Sequence, residues 1–385
     1  MNKYNNIKYT VVTVTYNCIT TIERTIKSVI AQTYDNLEYI IIDGQSEDGT
    51  VDIISKYQEF LSFFVSEPDS GIYDAMNKAI AHATGDYLIF MNGDDYFYGT
   101  DVFQRISGYC TGENIVIGQE YFGSRVSEIP DMSDGRSPFY GIFYPHQATF
   151  SPIKAYREIG VFDLDYKISA DFEWMCRAID TGIKVDWVPE IVSVYTIGGV
   201  SAGLKCMADE ISISKRYLQK NGQEKLIDEM INNTKGRAKG VVMRNIMSDD
   251  SYQDYVRYVY KDVLKLNSEV QLWGAGFVAD YYINSLNDCD ICVKCVIDKG
   301  SNIEDIDGVP VVRYSPELIT QLLVASEAFD DEICGFLSSE EFKENKDFFS
   351  YKYLRDVIIS GLDDEDDQLV FLKEKCGVDL KGDKE

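Results

Sequence analysis

Two adjacent carboxylates, Asp94 and Asp95, close the stretch VSEPDSGIYDAMNKAIAHATGDYLIFMNGDD that runs from Val65 to Asp95. Ile89, Phe90 and Met91 suit a buried strand, so Asn92-Gly93-Asp94-Asp95 would emerge from its C-terminal end. Ligands of open α/β sheets bind outside those ends. Paired carboxylates there repel each other and resist desolvation unless a cation compensates them. Mg²⁺ and Mn²⁺ take oxygen ligands and commonly arrive with substrate phosphates. The stretch therefore points to a metal–diphosphate site. The plainer alternative is a polar turn with two solvated aspartates.

Further acids fall at comparable places. Asp43 ends the apolar run Leu37–Ile42, and Asp171 opens a helical segment in Ser169-Ala170-Asp171-Phe172-Glu173-Trp174. A nucleotide site needs acceptors for base and ribose and a cation for the diphosphate. A transfer reaction adds a general base. Asp43, Asp94, Asp95 and Asp171 can fill those jobs. The two histidines, His82 and His146, form no evident Ser–His–Asp or Cys–His set. With no Walker A sequence, kinase or NTPase chemistry is disfavoured.

The elements that position these residues follow from hydrophobic period. Tyr9–Tyr16 is β-branched and apolar, as a buried strand is. A helix starts near Thr20–Thr21 and carries Ile22, Ile26, Val29 and Ile30 on one face. Leu37–Ile42 predicts a second strand, Ser46–Thr50 a turn into a helix, and Phe63–Ser66 a third strand. A helix over Tyr73–Ala83 and a strand over Tyr87–Met91 follow. Strands alternating with helices predict a mostly parallel sheet with right-handed crossovers. Past Asp95 the regularity weakens: a strand at Asn114–Gln119, a long loop over Gly123–Tyr144, a helix at Ala170–Thr181 and an apolar run at Val185–Tyr195. Residues 204–266 look helical. Their basic island, Lys235, Arg237, Lys239 and Arg244, is either a patch for anionic lipid or a solvated helix face.

From Glu269 a second α/β pattern begins. The strand Val270–Trp273 leads into Gly274-Ala275-Gly276-Phe277-Val278-Ala279, then a helix, then the strand Val293–Ile297 ending at Asp298. This fits the first half of a dinucleotide-binding fold, and only that half is evident. Gly274, Gly276 and Asp298 are thus candidates for a second, unidentified nucleotide; the alternative is a turn whose glycines serve packing. Cys289, Cys292 and Cys295 have zinc-like spacing. They lack an obvious fourth ligand and read as ordinary strand cysteines.

A chain of 385 residues suggests more than one domain. The boundaries expected are 1–203, a helical connector at 204–267, and 268–385. The net charge of −27 argues against a nucleic-acid partner. Nine scattered cysteines suit a reducing cytoplasm. There is no apolar run of membrane-spanning length, and the opening MNKYNNIKYT leads straight into a strand. The expected location is cytoplasmic, with weak association at the inner membrane face.

Residues 9 to about 200 resemble a family 2 glycosyltransferase of the GT-A fold. The resemblance rests on Val14-Thr15-Tyr16-Asn17, on Ile42-Asp43-Gly44-Gln45-Ser46-Glu47-Asp48-Gly49-Thr50 and on Asn92-Gly93-Asp94-Asp95, in that order. The block Ser66–Lys78, with Pro145–Phe150 and Ser169–Glu173, resembles the bacterial surface-polysaccharide branch that includes colanic-acid-type transferases. The resemblance implies inverting transfer from a nucleoside-diphosphate sugar to a saccharide or lipid-linked acceptor, with Mg²⁺ or Mn²⁺. It implies that Asp43 contacts the nucleobase, Asp94 the ribose or a metal-bound water, and Asp95 the metal with Asp94. Thr15, Tyr16, Asn17, Asp48 and Asn77 would complete the donor side. Asp171 would be the general base, with His146 and Gln147 on the acceptor side.

Three positions depart from the family pattern. Asn92 replaces its first carboxylate, Met76 replaces a common Arg, leaving Lys78 or a residue elsewhere to help neutralise the diphosphate, and Ala170 replaces the Glu before Asp171. These keep open a donor-binding or scaffolding protein without transfer activity. No Q-x-x-R-W sequence is present, which disfavours a processive synthase. A nucleotidylyltransferase would carry a basic Gly-rich loop where Thr15-Tyr16-Asn17-Cys18 stands. The C-terminal region resembles the Rossmann-like modules attached to polysaccharide-biosynthesis enzymes, where NAD-linked chemistry is a further alternative.

Overall fold

The computed structural model describes residues 7–122, 125–133, 135–140, 142, 144–196, 203–276, 278–299, 303–326 and 329–381. The chain divides into two compact units, residues 1–201 with 209–227, and residues 202–208 with 228–385.

The first unit begins with β1 (Tyr9–Thr15), α1 (Ile22–Ile30), β2 (Leu37–Asp43), α2 (Thr50–Ser55), β3 (Phe63–Ser66), α3 (Ile72–His82) and β4 (Tyr87–Phe90). All seven residues of β1 and all four of β4 are buried, which is why both carry β-branched, aromatic or apolar residues on both faces and no charge. Val12, Val14, Ile40, Ile42, Leu88 and Phe90 pack on one face of the sheet with Tyr73 and Met76 of α3. The alternate residues Val11, Ile41 and Ile89 pack on the other with Ile22 and Ile26 of α1. Then come β5 (Tyr96–Phe97), α4 (Val102–Ser107), β6 (Ile115–Phe122), β7 (Arg125–Val126), β8 (Thr149–Pro152), α5 (Ile153–Ile159), α6 (Ala170–Asp180) and β9 (Val185–Val194).

The sheet runs β3-β2-β1-β4-β8-β6-β9-β5, with β7 on β6. The parallel pairing expected from the first half holds for β3, β2, β1 and β4. Beyond β4 the sheet is mixed, because β8 runs antiparallel to both β4 and β6. The segment expected as one long loop from Gly123 contains β7, which folds back on β6. Residues 123, 124, 134, 141 and 143 of that segment lie outside the described residues. Register aligns the strand ends: Thr15 is opposite Asp43, and Asp43 opposite Ser66.

The helical expectation for 204–266 is met by α7 (Leu204–Lys220), α8 (Leu226–Ser248) and α9 (Gln253–Tyr258), the last continuing as a π-helical turn over Val259–Val263. The unit division passes through α7 and α8. Met230, Ala238, Val241, Val242 and Ile246 of α8 are buried. Lys239 of the basic island pairs with Asp356 at 3.1 Å, and Lys235, Arg237 and Arg244 are also engaged, so this is no unpaired basic face.

The second unit contains β10 (Glu269–Trp273), α10 (Val278–Asp288), β11 (Cys292–Ile297), β12 (Asp305–Ile306), β13 (Val309–Val312), β14 (Leu322–Val324), α11 (Asp330–Ser339), β15 (Phe348–Phe349), α12 (Tyr351–Ser360) and α13 (Asp367–Phe371). Its sheet extends well past the half legible in sequence, in the order β12-β13-β11-β10-β14-β15. Counting only the parallel strands, that is third-second-first-fourth-fifth, the doubly wound order. Its outer strands are four, three and two residues long, too short to show a period. Cys292 and Cys295 of β11 lie on opposite faces, exposed and buried, and Cys289 is buried in the turn after α10 rather than on the strand. No helix among the described residues is long and apolar enough to cross a membrane.

Candidate active site

The loop after β4 lies against the end of β1. Gly93 donates its N–H to the Val14 carbonyl at 3.1 Å. A Cβ at Gly93 would come within 2.8 Å of Thr15 Oγ1, so the close approach excludes a side chain. Asp95 points inward and is 1% exposed. Its Oδ1 accepts the Thr196 N–H at 2.8 Å and its Oδ2 the Gln147 amide at 2.7 Å. Asp94 is half-buried. Its backbone carbonyl accepts Arg24 and the Thr196 hydroxyl, each at 2.6 Å, which leaves its carboxylate unused by these contacts. Arg24 stacks over Tyr96 at 4.4 Å.

Burial, reinforced by the Asp94 carboxylate, pushes Asp95 up to about 7. Burial raises Asp94 as well. A third acid, Glu120 of β6, is driven up to about 8 by burial and by Asp95, and takes weak support from Ser193 at 3.4 Å. Sequence analysis missed Glu120 and Arg24. The signal for Glu120 was a lone glutamate at the end of the apolar strand NIVIGQE.

Two buried oxygens here, Asn92 Oδ1 and Thr15 Oγ1, lack hydrogen-bond partners among the described residues. An orphaned amide oxygen two residues from the unused Asp94 carboxylate fits a hard cation that takes few protein oxygens and completes its shell with phosphate and water. Asp95 fits that role less directly than expected, because both its oxygens already accept protein donors. Among the described residues no group of three or more His, Cys, Asp or Glu is placed to hold a metal ion.

The residues expected on the donor side separate into two sets. Asp43 is fully buried at the end of β2 and accepts the Ser46 N–H at 2.9 Å and the Ser66 hydroxyl at 2.6 Å. Tyr16 is 64% exposed, a ring free to stack on a base. Its ring and Asp69 Oδ2 close over Gly44, where a Cβ would meet them at 3.4 and 2.7 Å. Asn17, Asp48 and Asn77 instead build the walls. Asn17, left-handed at φ 51°, donates its N–H to Ser46 and accepts the Glu47 N–H at 3.0 Å. Asp48 accepts from Thr50 and from the Ile19 N–H at 2.9 Å, and the Thr50 bonds hold its carboxyl below the usual range. Asn77 uses both ends of its amide on the Phe162 backbone, at 2.9 and 3.0 Å. In this arrangement Asp48 and Asn77 direct their side chains to protein partners, and Asn17 uses its amide oxygen on Glu47. Lys78, offered as a diphosphate neutraliser, is held by Glu67 at 2.9 Å and the Pro68 carbonyl.

Asp171 stands in the first turn of α6 with its side chain 30% exposed. Tyr73 donates its hydroxyl to Asp171 Oδ1 at 2.7 Å. His146 Nδ1 lies 3.7 Å from Oδ2. The His146 ring stacks on Phe90 at 5.0 Å, and burial lowers its basicity, so it is neutral near pH 7. Gln147, expected with His146 on the acceptor side, turns the other way to Asp95. Consecutive residues thus face the two acids, His146 towards Asp171 and Gln147 towards Asp95.

In the second unit, Gly274 has φ 109°, and a Cβ there would lie 3.1 Å from the Ala325 carbonyl. Asp298 accepts the Ala275 N–H at 3.0 Å. That N–H, which could have met a phosphate, is already used. Gly276 has open space around it, and Phe277 lies outside the described residues.

Residues 10–154 match glycosyl transferase family 2. An uncharacterised glycosyltransferase of Mycobacterium tuberculosis is 36% identical over 178 residues, 44% of this chain and 67% of that protein. A PGL/p-HBAD biosynthesis glycosyltransferase of Mycobacterium bovis is 27% identical over 202 residues, 50% of this chain and 78% of its own. Among solved structures, S. aureus TarS in complex with UDP aligns over 68% of this chain and 82% of its own, at 13% identity and a TM-score of 0.49. The paired acids after β4 lie within the segment that matches the family, and the chain belongs to glycosyl transferase family 2.

Proposed function

We propose that the first unit transfers a sugar, with inversion, from a nucleoside-diphosphate sugar to a hydroxyl of a saccharide or lipid-linked acceptor. The observation that carries this is the pairing through His146 and Gln147. It links a buried diphosphate-end acid, Asp95, to a partly exposed carboxylate, Asp171, through adjacent residues. A donor end and a base end at adjoining places are what a direct displacement needs.

In this reading Tyr16 stacks on the base, and Asp43 shapes the base pocket from the end of β2. Asp94 and Asn92 Oδ1 would hold a divalent cation. When bound, that ion offsets charge on the departing diphosphate. Gln147, Thr196 and Arg24 fix the loop that presents Asp94. Asp171 takes the acceptor proton as the acceptor oxygen attacks the anomeric carbon, and the bond to the diphosphate oxygen breaks with its electron pair.

A donor-binding protein without transfer is the second reading, and Asn92 and Ala170 are the residues behind it. Ala170 is fully buried in the apolar core, whereas Asp171 is partly exposed, so the missing Glu leaves Asp171 unaltered as the base candidate. The test is a thermal-shift series with UDP-, GDP- and dTDP-sugars, with and without Mn²⁺, followed by product analysis. Metal-dependent stabilisation by one nucleotide series together with sugar transfer is the expected result. Stabilisation without transfer to any acceptor or to water selects the second reading, and no response to any donor removes both.

A further inference from the structure

We infer that Tyr73 is the positioning residue of the site, and that it dedicates Oδ2 of Asp171 to the reaction by occupying Oδ1. The inference rests on Asp171 being the base.

Tyr73 lies in the first turn of α3, 7% exposed and packed into the same core cluster as Phe90 and Trp174. Its ring is 5.4 Å from that of Phe162, and Asn77, one turn further along α3, is tied to the Phe162 backbone. The ring is thus held by packing and cannot follow a substrate. Its hydroxyl reaches out of the core to two acceptors, Asp171 Oδ1 at 2.7 Å and the Ile168 carbonyl. A phenol has one proton to give. While Asp171 is ionised, the charge-assisted bond to Oδ1 is the stronger claim on it.

Oδ2 is left without a protein partner at hydrogen-bond distance among the described residues. His146 Nδ1 stands 3.7 Å from it, beyond hydrogen-bond reach. The groups facing Asp171 from the packed elements are Tyr73 from α3, His146 from the turn before β8 and Tyr156 from α5. None of the three is a cation near pH 7, so none competes with the acceptor hydroxyl for Oδ2. On transfer the acceptor O–H bond breaks, its electrons stay on the acceptor oxygen, and the proton forms Oδ2–H. The carboxyl is then neutral, and the Tyr73 proton can swing to the Ile168 carbonyl. No other proton enters or leaves.

The experiment compares the pH dependence of kcat/KM for the full chain, Asp171→Asn and Tyr73→Phe. Tyr73→Phe removes one oxygen and its bond to the ionised carboxylate. The acid limb of its profile moves to higher pH by about half a unit to one unit. Below the limb this reads as a loss of roughly three- to tenfold that recovers at high pH. Donor-induced thermal stabilisation stays at the wild-type value. Placing 3-fluorotyrosine at position 73 keeps the fold and strengthens the donor, so it moves the limb the other way. A profile that superimposes on wild type, or a uniform loss at every pH, overturns the positioning role. Turnover that survives in Asp171→Asn overturns the base assignment instead, and a wild-type chain silent towards every donor overturns both.

Discussion

Gln147 donates its side-chain amide to Asp95 Oδ2 at 2.7 Å, joining the turn before β8 to the loop after β4. The backbone N–H of Thr196, just past β9, holds the other oxygen. Asp95 is therefore a buried post to which two neighbouring segments are tied. From sequence the metal was expected on Asp94 and Asp95 together, and both Asp95 oxygens accept protein donors.

Replacing Gln147 by Leu leaves Asp95 Oδ2 buried without a donor. Leaving such an acceptor unsatisfied costs about 1–3 kcal/mol. Urea unfolding of Gln147→Leu at pH 8 should show a loss in that range, with a smaller loss at pH 5, where Asp95 is protonated. Wild-type stability at both pH values would show that the bond is incidental.

Asp95 and Glu120 also give the protein a pH signature. Both carboxyls have folded values, about 7 and about 8, above the ordinary carboxylate range. Such groups bind protons more tightly when folded. Their stabilising contribution is complete below the ordinary range and is lost as pH rises through 7 and then 8. The melting temperature of the metal-free protein should fall from pH 5 to pH 8.5. Glu120→Gln, which cannot ionise, should fall less steeply above pH 7. A Glu120→Gln curve parallel to wild type across that window would remove Glu120 from the account.

Asp94→Asn separates ligand binding from folding. Burial disfavours the ionised form of Asp94, and only its own backbone N–H and the nearby Arg24 charge favour it. Its replacement should leave the melting temperature of the free protein equal or slightly higher. The extra stabilisation that Mn²⁺ gives in the presence of a nucleoside diphosphate should be lost, by tenfold or more in apparent affinity, about 1.4 kcal/mol. Retained metal-dependent affinity would move the cation contact elsewhere, most directly to Asp95.

The core of this arrangement was legible in sequence because β1, β2 and β4 are buried on both faces. Buried β-branched and apolar runs such as Tyr9–Thr15 and Tyr87–Phe90 then end at polar residues, and the proposed site residues lie at those ends. What sequence does not show is which polar atoms are already spent. Asp48 and Asn77 look as available as Asp94 in a linear chain, yet their partners, the Ile19 N–H and the Phe162 backbone, come from 29 and 85 residues away. Glu120, and the bond from Gln147 to Asp95, were hidden for the same reason: they exist only once β6 and the turn before β8 flank the loop after β4. In the second unit, β12, β13, β14 and β15 are two to four residues long, too short to carry a period, so four of the six strands were invisible.

Asn77 gives the sharpest check on that distinction. Its amide donates to the Phe162 carbonyl at 2.9 Å and accepts the Phe162 N–H at 3.0 Å, tying α3 to the loop before α6. Asn77→Ala strands both backbone groups, a cost of about 1–2 kcal/mol. Guanidinium unfolding should register that loss, while nucleoside-diphosphate affinity, measured by calorimetry below the onset of unfolding, stays within about twofold of wild type, roughly 0.4 kcal/mol. Aspartate at this position is expected to be no better than Ala, since it cannot donate to the Phe162 carbonyl. The reverse pattern, wild-type stability with weakened nucleotide binding, would return Asn77 to the donor site and show that its amide leaves Phe162 when the donor arrives.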